Sequence, residues 1–144
     1  MAMVADNSSH SAEWENLLKQ AIAARDYAYA PYSKYKVGAA LLTTAGKIYQ
    51  GCNIENAAYT PSNCAERTAI FKAVSEGERD FTAIAVATKD GAAPCGVCRQ
   101  VIREFAPNLT IIIGDVEGHY EVVALSDILP HSFGPENLFV DPAT

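Results

Sequence analysis

Two apolar runs, Phe81–Thr88 and 109–113, stand on either side of a segment long enough for one helix, Gly96–Phe105. This arrangement constrains the fold most, because strands joined through a helix run parallel: the crossover returns the chain to the same end of the sheet. Phe81, Ala83, Ile84 and Val86 mark the first run as a buried strand. The unbroken run 109–113, closed by Gly114, marks a second strand buried on both faces. Only residues 114–119 separate it from the next apolar stretch, 120–125, which is too short a gap for a crossover, so that strand is expected to be antiparallel. Upstream, 37–43 and 47–50 flank Thr44, Ala45 and Gly46, a turn signal that suggests a hairpin. The sum is an α/β chain with a five-stranded mixed sheet and helices on its faces.

The helices follow from spacing. Over 11–29 the residues Trp14, Leu17, Leu18, Ala21, Ile22 and Ala28 recur every three or four positions, with Glu13, Glu15, Lys19 and Gln20 between them. Ser11 is the expected N-cap, and Pro31 bars continuation. The small residues Gly38, Ala39 and Ala40 imply a closely packed neighbour. Residues 51–63, with Gly51 and Pro61, read as a loop that ends at a helix start near Cys64; Ala65, Ala69, Ala73 and Val74 then form a stripe, and Gly77 offers a stop. A second loop, 89–94, leads to another cysteine-headed helix, closed by Pro107 and Asn108.

Length and composition bound the function. The 144 residues, 49% hydrophobic and 19% charged, suit one globular domain, expected at 11–140 after a flexible tail at 1–10, with 141–144 also loose. Eleven Lys and Arg against seventeen Asp and Glu give a net charge of −6, without the phosphate-neutralising surface that nucleic-acid binding needs. No apolar run approaches the ~20 residues of a membrane span, and the polar opening lacks the apolar stretch of a secretory signal, so no membrane partner and a cytoplasmic location are expected. In that compartment the four cysteines favour metal or redox chemistry over disulfides.

Cys95 and Cys98 form a CxxC pair, which by itself suits a redox couple, half a zinc site or two buried small residues. Cys64 shifts the balance toward zinc, because it too sits where a loop enters a helix, so two helix N-termini can bring three sulfurs to one point. Three cysteines with a nearby glutamate that is not a ligand is a known ligand pattern of zinc-dependent base deaminases. A catalytic zinc keeps one tetrahedral position for water. Cys52 as a fourth ligand would close the site; packing as a small apolar residue is the alternative. His10, His119 and His131 lie in a tail, a turn and after a proline, and none is placed like a ligand.

Three thiolates and Zn²⁺ sum to −1, which opposes acidification of a bound water. Two helix N-termini offset this, as would Arg67 and Arg99 if they donate to sulfur; otherwise the two arginines are surface charge. Glu66 is the candidate proton carrier, the alternative being a first-turn glutamate that stabilises its helix. Asn53 and Glu55, in one Gly-bounded loop, offer hydrogen-bond donors and acceptors, although an Asx-turn equally explains Asn53.

Five stretches, Y-S-K-Y-K-V-G-A-A-L at 32–41, G-C-N-I-E-N-A-A-Y at 51–59, C-A-E-R at 64–67, P-C-G-V-C-R-Q at 94–100 and L-P-H-S-F-G-P at 129–135, resemble the homotetrameric cytidine deaminases of pyrimidine salvage. The resemblance implies a three-layer α/β/α fold, one zinc on Cys64, Cys95 and Cys98, and Glu66 as proton shuttle. It further implies that Asn53 and Glu55 bind the ribose and that the Ala65 backbone contacts the base. Phe133 would stack on the ring in a neighbouring subunit's site, with Tyr59 near that junction. Tyr35 departs from the family's usual Phe: it keeps a ring for packing against the nucleoside but adds a hydroxyl that needs a partner.

The expected activity is hydrolytic deamination of cytidine and 2′-deoxycytidine to uridine and 2′-deoxyuridine with release of ammonia. The rival readings are deamination of another aminopyrimidine nucleoside such as blasticidin S, a polynucleotide cytosine deaminase, and a structural zinc protein closed by Cys52.

Overall fold

The computed structural model describes residues 10–139. The chain runs α1 (Ser11–Arg25), β1 (Gly38–Thr43), β2 (Ile48–Cys52), α2 (Ala65–Ser75), β3 (Phe81–Thr88), α3 (Gly96–Phe105), β4 (Thr110–Asp115), β5 (Tyr120–Ala124) and the short helix α4 (Leu125–Ile128). A 3₁₀ turn, Pro135–Asn137, follows. The strands form one sheet in the order β2-β1-β3-β4-β5. β3 and β4 pair in parallel, with Ile84 opposite Ile111 and Val86 opposite Ile113, as the intervening helix requires. The other pairings are antiparallel, including the β1–β2 hairpin and the β4–β5 turn.

The period of two along the strands sorts side chains into two cores. Ala39, Leu41, Ile84, Ile111 and Ile113 meet Ala65, Ala69, Ile70 and Ala73 of α2, Ile102 of α3 and Leu125 of α4 on one face. Ala40, Leu42, Ala83, Ala85, Ala87 and Ile112 meet Trp14, Leu17, Leu18 and Ala21 of α1 on the other. The sheet is therefore the middle of three layers. Glycine lets the helices sit close: a Cβ on Gly38 would lie 1.9 Å from the Ala21 carbonyl oxygen of α1, and one on Gly51 would lie 2.5 Å from the Ala65 oxygen and the Ala69 nitrogen of α2. Past the end of α2 the chain turns at Gly77, whose φ is +96°; the Glu78 amide donates to the Ala73 oxygen and the Gly77 amide to the Val74 oxygen, closing the last turn.

Several boundaries differ from expectation. Ser11 lies inside α1; His10 is the N-cap, makes no side-chain cap bond and stacks on Trp14. α1 stops at Arg25 rather than Tyr29, because Tyr29 leaves the helical path to pair with Ile54, its amide donating to the Asn53 oxygen. The expected loop 51–63 is tied down by the same pairing and by a second bridge between Ile54 and Asn63. The expected tails, apart from His10, lie outside the described residues.

Candidate active site

Cys64 and Cys95 are the N-caps of α2 and α3, both extended, and neither side chain caps its helix. Cys98 follows in the first turn of α3 and is fully buried. The parallel β3–α3–β4 unit puts the start of α3 just beyond the carboxyl end of β3, where crevices in α/β sheets open. The sulfurs of Cys64, Cys95 and Cys98 all lie within 4.8 Å of one another, and no other group of this kind occurs among the described residues. Tetrahedral Zn–S bonds of ~2.3 Å set sulfurs about 3.8 Å apart, and Cys64 Sγ and Cys95 Sγ are separated by 3.8 Å. Donor chemistry and spacing both fit one zinc ion.

The surroundings favour thiolate at Cys64. Arg67 Nη2 donates to Cys64 Sγ across 3.1 Å, while Arg67 Nε is buried without a hydrogen-bond partner among the described residues. The Cys98 thiol beside Cys64, followed by the Arg67 donor, holds the Cys64 thiol down to about 5 against the opposing effect of burial. Cys98, sharing that contact, is pushed up. Two helix N-termini add positive potential at the same point.

Cys64 and Cys95 border a cavity of about 340 Å³, with Cys98 buried behind them, within the ~300–1,000 Å³ range of small-molecule sites. Its wall includes Cys64, Cys95, Ala65, Glu66, Arg67, Asn53, Glu55 and Tyr35. Glu66, only 3% exposed, projects from the first turn of α2. Burial pushes its carboxyl up to about 7; its own backbone amide opposes this and the Cys64 charge adds to it. A carboxyl so poised takes and returns protons near neutral pH.

Asn53 and Glu55 share that wall and are pre-oriented by backbone. Asn53 Oδ1 accepts from the Val37 amide at 2.9 Å and its Nδ2 donates to the Tyr35 oxygen at 2.8 Å. Glu55 Oε1 accepts from the Tyr32 and Ser33 amides, both at 3.0 Å, and its Oε2 accepts from the Ser33 hydroxyl. The Ser33 contacts come first in holding the Glu55 carboxyl below the usual carboxylate range. Ser33 is a wall residue that the sequence reading missed; its position two before Tyr35 in the matching stretch was the available signal.

Arg99 requires a correction. It donates to no sulfur: its Nε bonds the Pro94 oxygen at 2.7 Å and its Nη1 the Ile128 oxygen at 2.8 Å. One position along α3 from Cys98, its side chain leaves on a different face, and it braces the turn before Cys95 instead. Phe133 and Tyr59 do not border the cavity within one chain. Both are exposed, at 58% and 75%, and Phe133 is held by its backbone oxygen accepting from Gln100. Cys52 lies at the end of β2, away from the three-sulfur group.

Residues 11–113 match the family model for the cytidine and deoxycytidylate deaminase zinc-binding region. The chain belongs to this deaminase family. It is 50% identical over 125 residues to a cytidine deaminase of Halalkalibacterium halodurans, spanning 85% of this chain and 95% of that one. It is equally identical over 127 residues to a cytidine deaminase of Sporosarcina psychrophila, with 86% and 93% covered. The crystal structure of the Burkholderia pseudomallei cytidine deaminase superposes with a TM-score of 0.80 at 48% identity, over 86% of this chain and 98% of that one. The three-layer arrangement is thus the α/β fold of this family, and the three cysteines stand in its zinc-binding region.

Proposed function

We propose that the chain catalyses hydrolytic deamination of cytidine and 2′-deoxycytidine to uridine and 2′-deoxyuridine, releasing ammonia. The observation that carries this reading is the buried Glu66 carboxyl on the same cavity as the sulfurs of Cys64 and Cys95, with Asn53 and Glu55 on the wall. Zinc held by Cys64, Cys95 and Cys98 supplies the Lewis acidity that makes water nucleophilic near neutral pH. Glu66 takes a proton from the attacking water and passes it to ring N3 as the water oxygen bonds C4; it then takes the remaining proton from that C4 hydroxyl and delivers it to the 4-amino group as the C4–N bond breaks and the C4 carbonyl forms. Cytidine and water thereby become uridine and ammonia. Glu55 and the free donor and acceptor sites of Asn53 bind the sugar hydroxyls, Ala65 presents its backbone to the base, and the Tyr35 ring packs beside the nucleoside.

In this reading Phe133 and Tyr59 complete the site of a neighbouring subunit in a homotetramer, which their exposure supports. Residues 11–140 act as one deaminase domain in the cytoplasm, in pyrimidine salvage; all four cysteines are unpaired, as a reducing compartment favours. No helix among the described residues is long and apolar enough to cross a membrane. The relatives at 50% identity are cytidine deaminases, which does not favour the blasticidin S or polynucleotide readings. Ammonia release from cytidine, 2′-deoxycytidine, blasticidin S and single-stranded oligodeoxycytidine, assayed side by side, tests the choice. Turnover of the first two alone is expected; faster turnover of either of the others overturns it.

A further inference from the structure

The wall of the cavity is made by two separate stretches of chain. One is the segment 33–37 together with Asn53 and Glu55, knitted by the Asn53 and Ser33 bonds described above. The other is the loop 89–94 between β3 and α3, which contributes Ala92 and Ala93 to the wall and leads into Cys95. Their side chains meet at one hydrogen bond. Tyr35 Oη donates to Asp90 Oδ1 at 2.5 Å. The same oxygen accepts from Thr88 Oγ1 at 3.2 Å, and Thr88 Oγ1 accepts from the Ala92 amide at 2.8 Å. The Tyr35 hydroxyl therefore acts through Asp90 and Thr88 on the backbone of the loop that enters the metal ligand. Lys89 Nζ, 5.6 Å from the Tyr35 ring centroid, flanks the same joint.

We propose that Tyr35 and Asp90 are positioning residues: their bond latches the sugar-side segment to the loop that precedes Cys95, fixing the width of the cavity before a nucleoside enters. The inference deepens the proposed function and rests on it. Asp90 is exposed and does not border the cavity, so it acts by holding Tyr35 and the 89–94 loop, not by touching substrate. A latch already formed in the free protein spares the nucleoside the cost of ordering two stretches of chain. Its loss is therefore felt in binding, while Glu66 and the three cysteines, on the helices, keep their geometry and the chemical step its rate.

The test uses Tyr35→Phe, Asp90→Ala, the double variant and Asp90→Asn in the zinc-loaded protein. KM for cytidine and the Kd of the product uridine by calorimetry are measured along with kcat. Losing a hydrogen bond to a charged but exposed group raises KM and Kd together by about three- to tenfold, with kcat within about twofold of wild type. The double variant is expected to be no worse than either single one, because both remove the same bond, and Asp90→Asn, which keeps the acceptor oxygen, recovers much of the loss. An unchanged KM and Kd in Tyr35→Phe, additive effects in the double variant, or a fall in kcat alone overturns the latch. A wild-type chain that turns over no cytidine sinks the proposed function instead, whereas normal turnover with an unaffected Tyr35→Phe sinks only the latch.

Discussion

The guanidinium of Arg67 donates from Nη2 to Cys64 Sγ across 3.1 Å, one turn along α2 from the residue it supports. Such a donor stabilises thiolate over thiol and orients the ligand. Arg67→Met is expected to weaken zinc binding by about 10- to 100-fold, the usual cost of losing a partner that orients a ligand. Competition with a chromophoric chelator measures it, and an unchanged zinc affinity removes Arg67 from the site.

Glu66 has the burial and position of a proton carrier without being a ligand. Glu66→Gln is expected to keep its zinc and fold while kcat falls by at least about 10²- to 10⁴-fold, the usual worth of a positioned acid–base group. Steady-state kinetics paired with metal analysis checks this; near-normal kcat in a zinc-loaded variant contradicts it.

The approach of α2 to β2 depends on Gly51 having no side chain. In Gly51→Ala the new carbon meets backbone atoms of α2, which cannot rotate away, and overpacking of this kind costs about 1–3 kcal/mol. Urea denaturation should show the loss. A midpoint equal to wild type would mean that the helix is not seated as described.

Glu55 provides a pH prediction. Its folded carboxyl sits below the unfolded value because Ser33, first through its hydroxyl and then its amide, and the Tyr32 amide bond the charged form. The stabilisation is thus complete above the unfolded pKa of ~4.3 and is lost as pH falls through the lower folded value. Amide resonances of Tyr32 and Ser33 should titrate with a midpoint below ~4.3, and Glu55→Gln should abolish that titration. A midpoint above ~4.3 in wild type runs against the observed bonding.

Much of this was legible in the residues, and the failures have physical causes. Phe81–Thr88 and Gly96–Phe105 appear where the apolar pattern put them, since a buried strand and a helix opened by cysteine and closed near proline carry strong periodicity. The parallel β3–β4 pair follows from the helix that joins the two apolar runs. α4 was missed because Leu125–Ile128 follows β5 directly, with neither a break nor enough turns to show a period. The end of α1 was overrun because Ala28 continues the apolar spacing, while the pairing of Tyr29 with Ile54 is a long-range event. Proximity in sequence to Cys98 does not fix the direction of the Arg99 side chain on its helix, and its bonds to the Pro94 and Ile128 oxygens depend on the fold. The partner for the Tyr35 hydroxyl was foreseen as a need, but Asp90 lies 55 positions away, and only the fold brings the two together.

The most direct test follows the loss of the cytidine absorbance band on adding purified protein, with zinc bound and after removal by chelator. Zinc-loaded protein should turn over cytidine, lose activity in step with its metal and recover it when zinc is restored. Undiminished turnover in protein shown to be zinc-free, or no turnover in protein carrying one zinc per chain, would contradict a zinc-dependent deaminase built on Cys64, Cys95, Cys98 and Glu66.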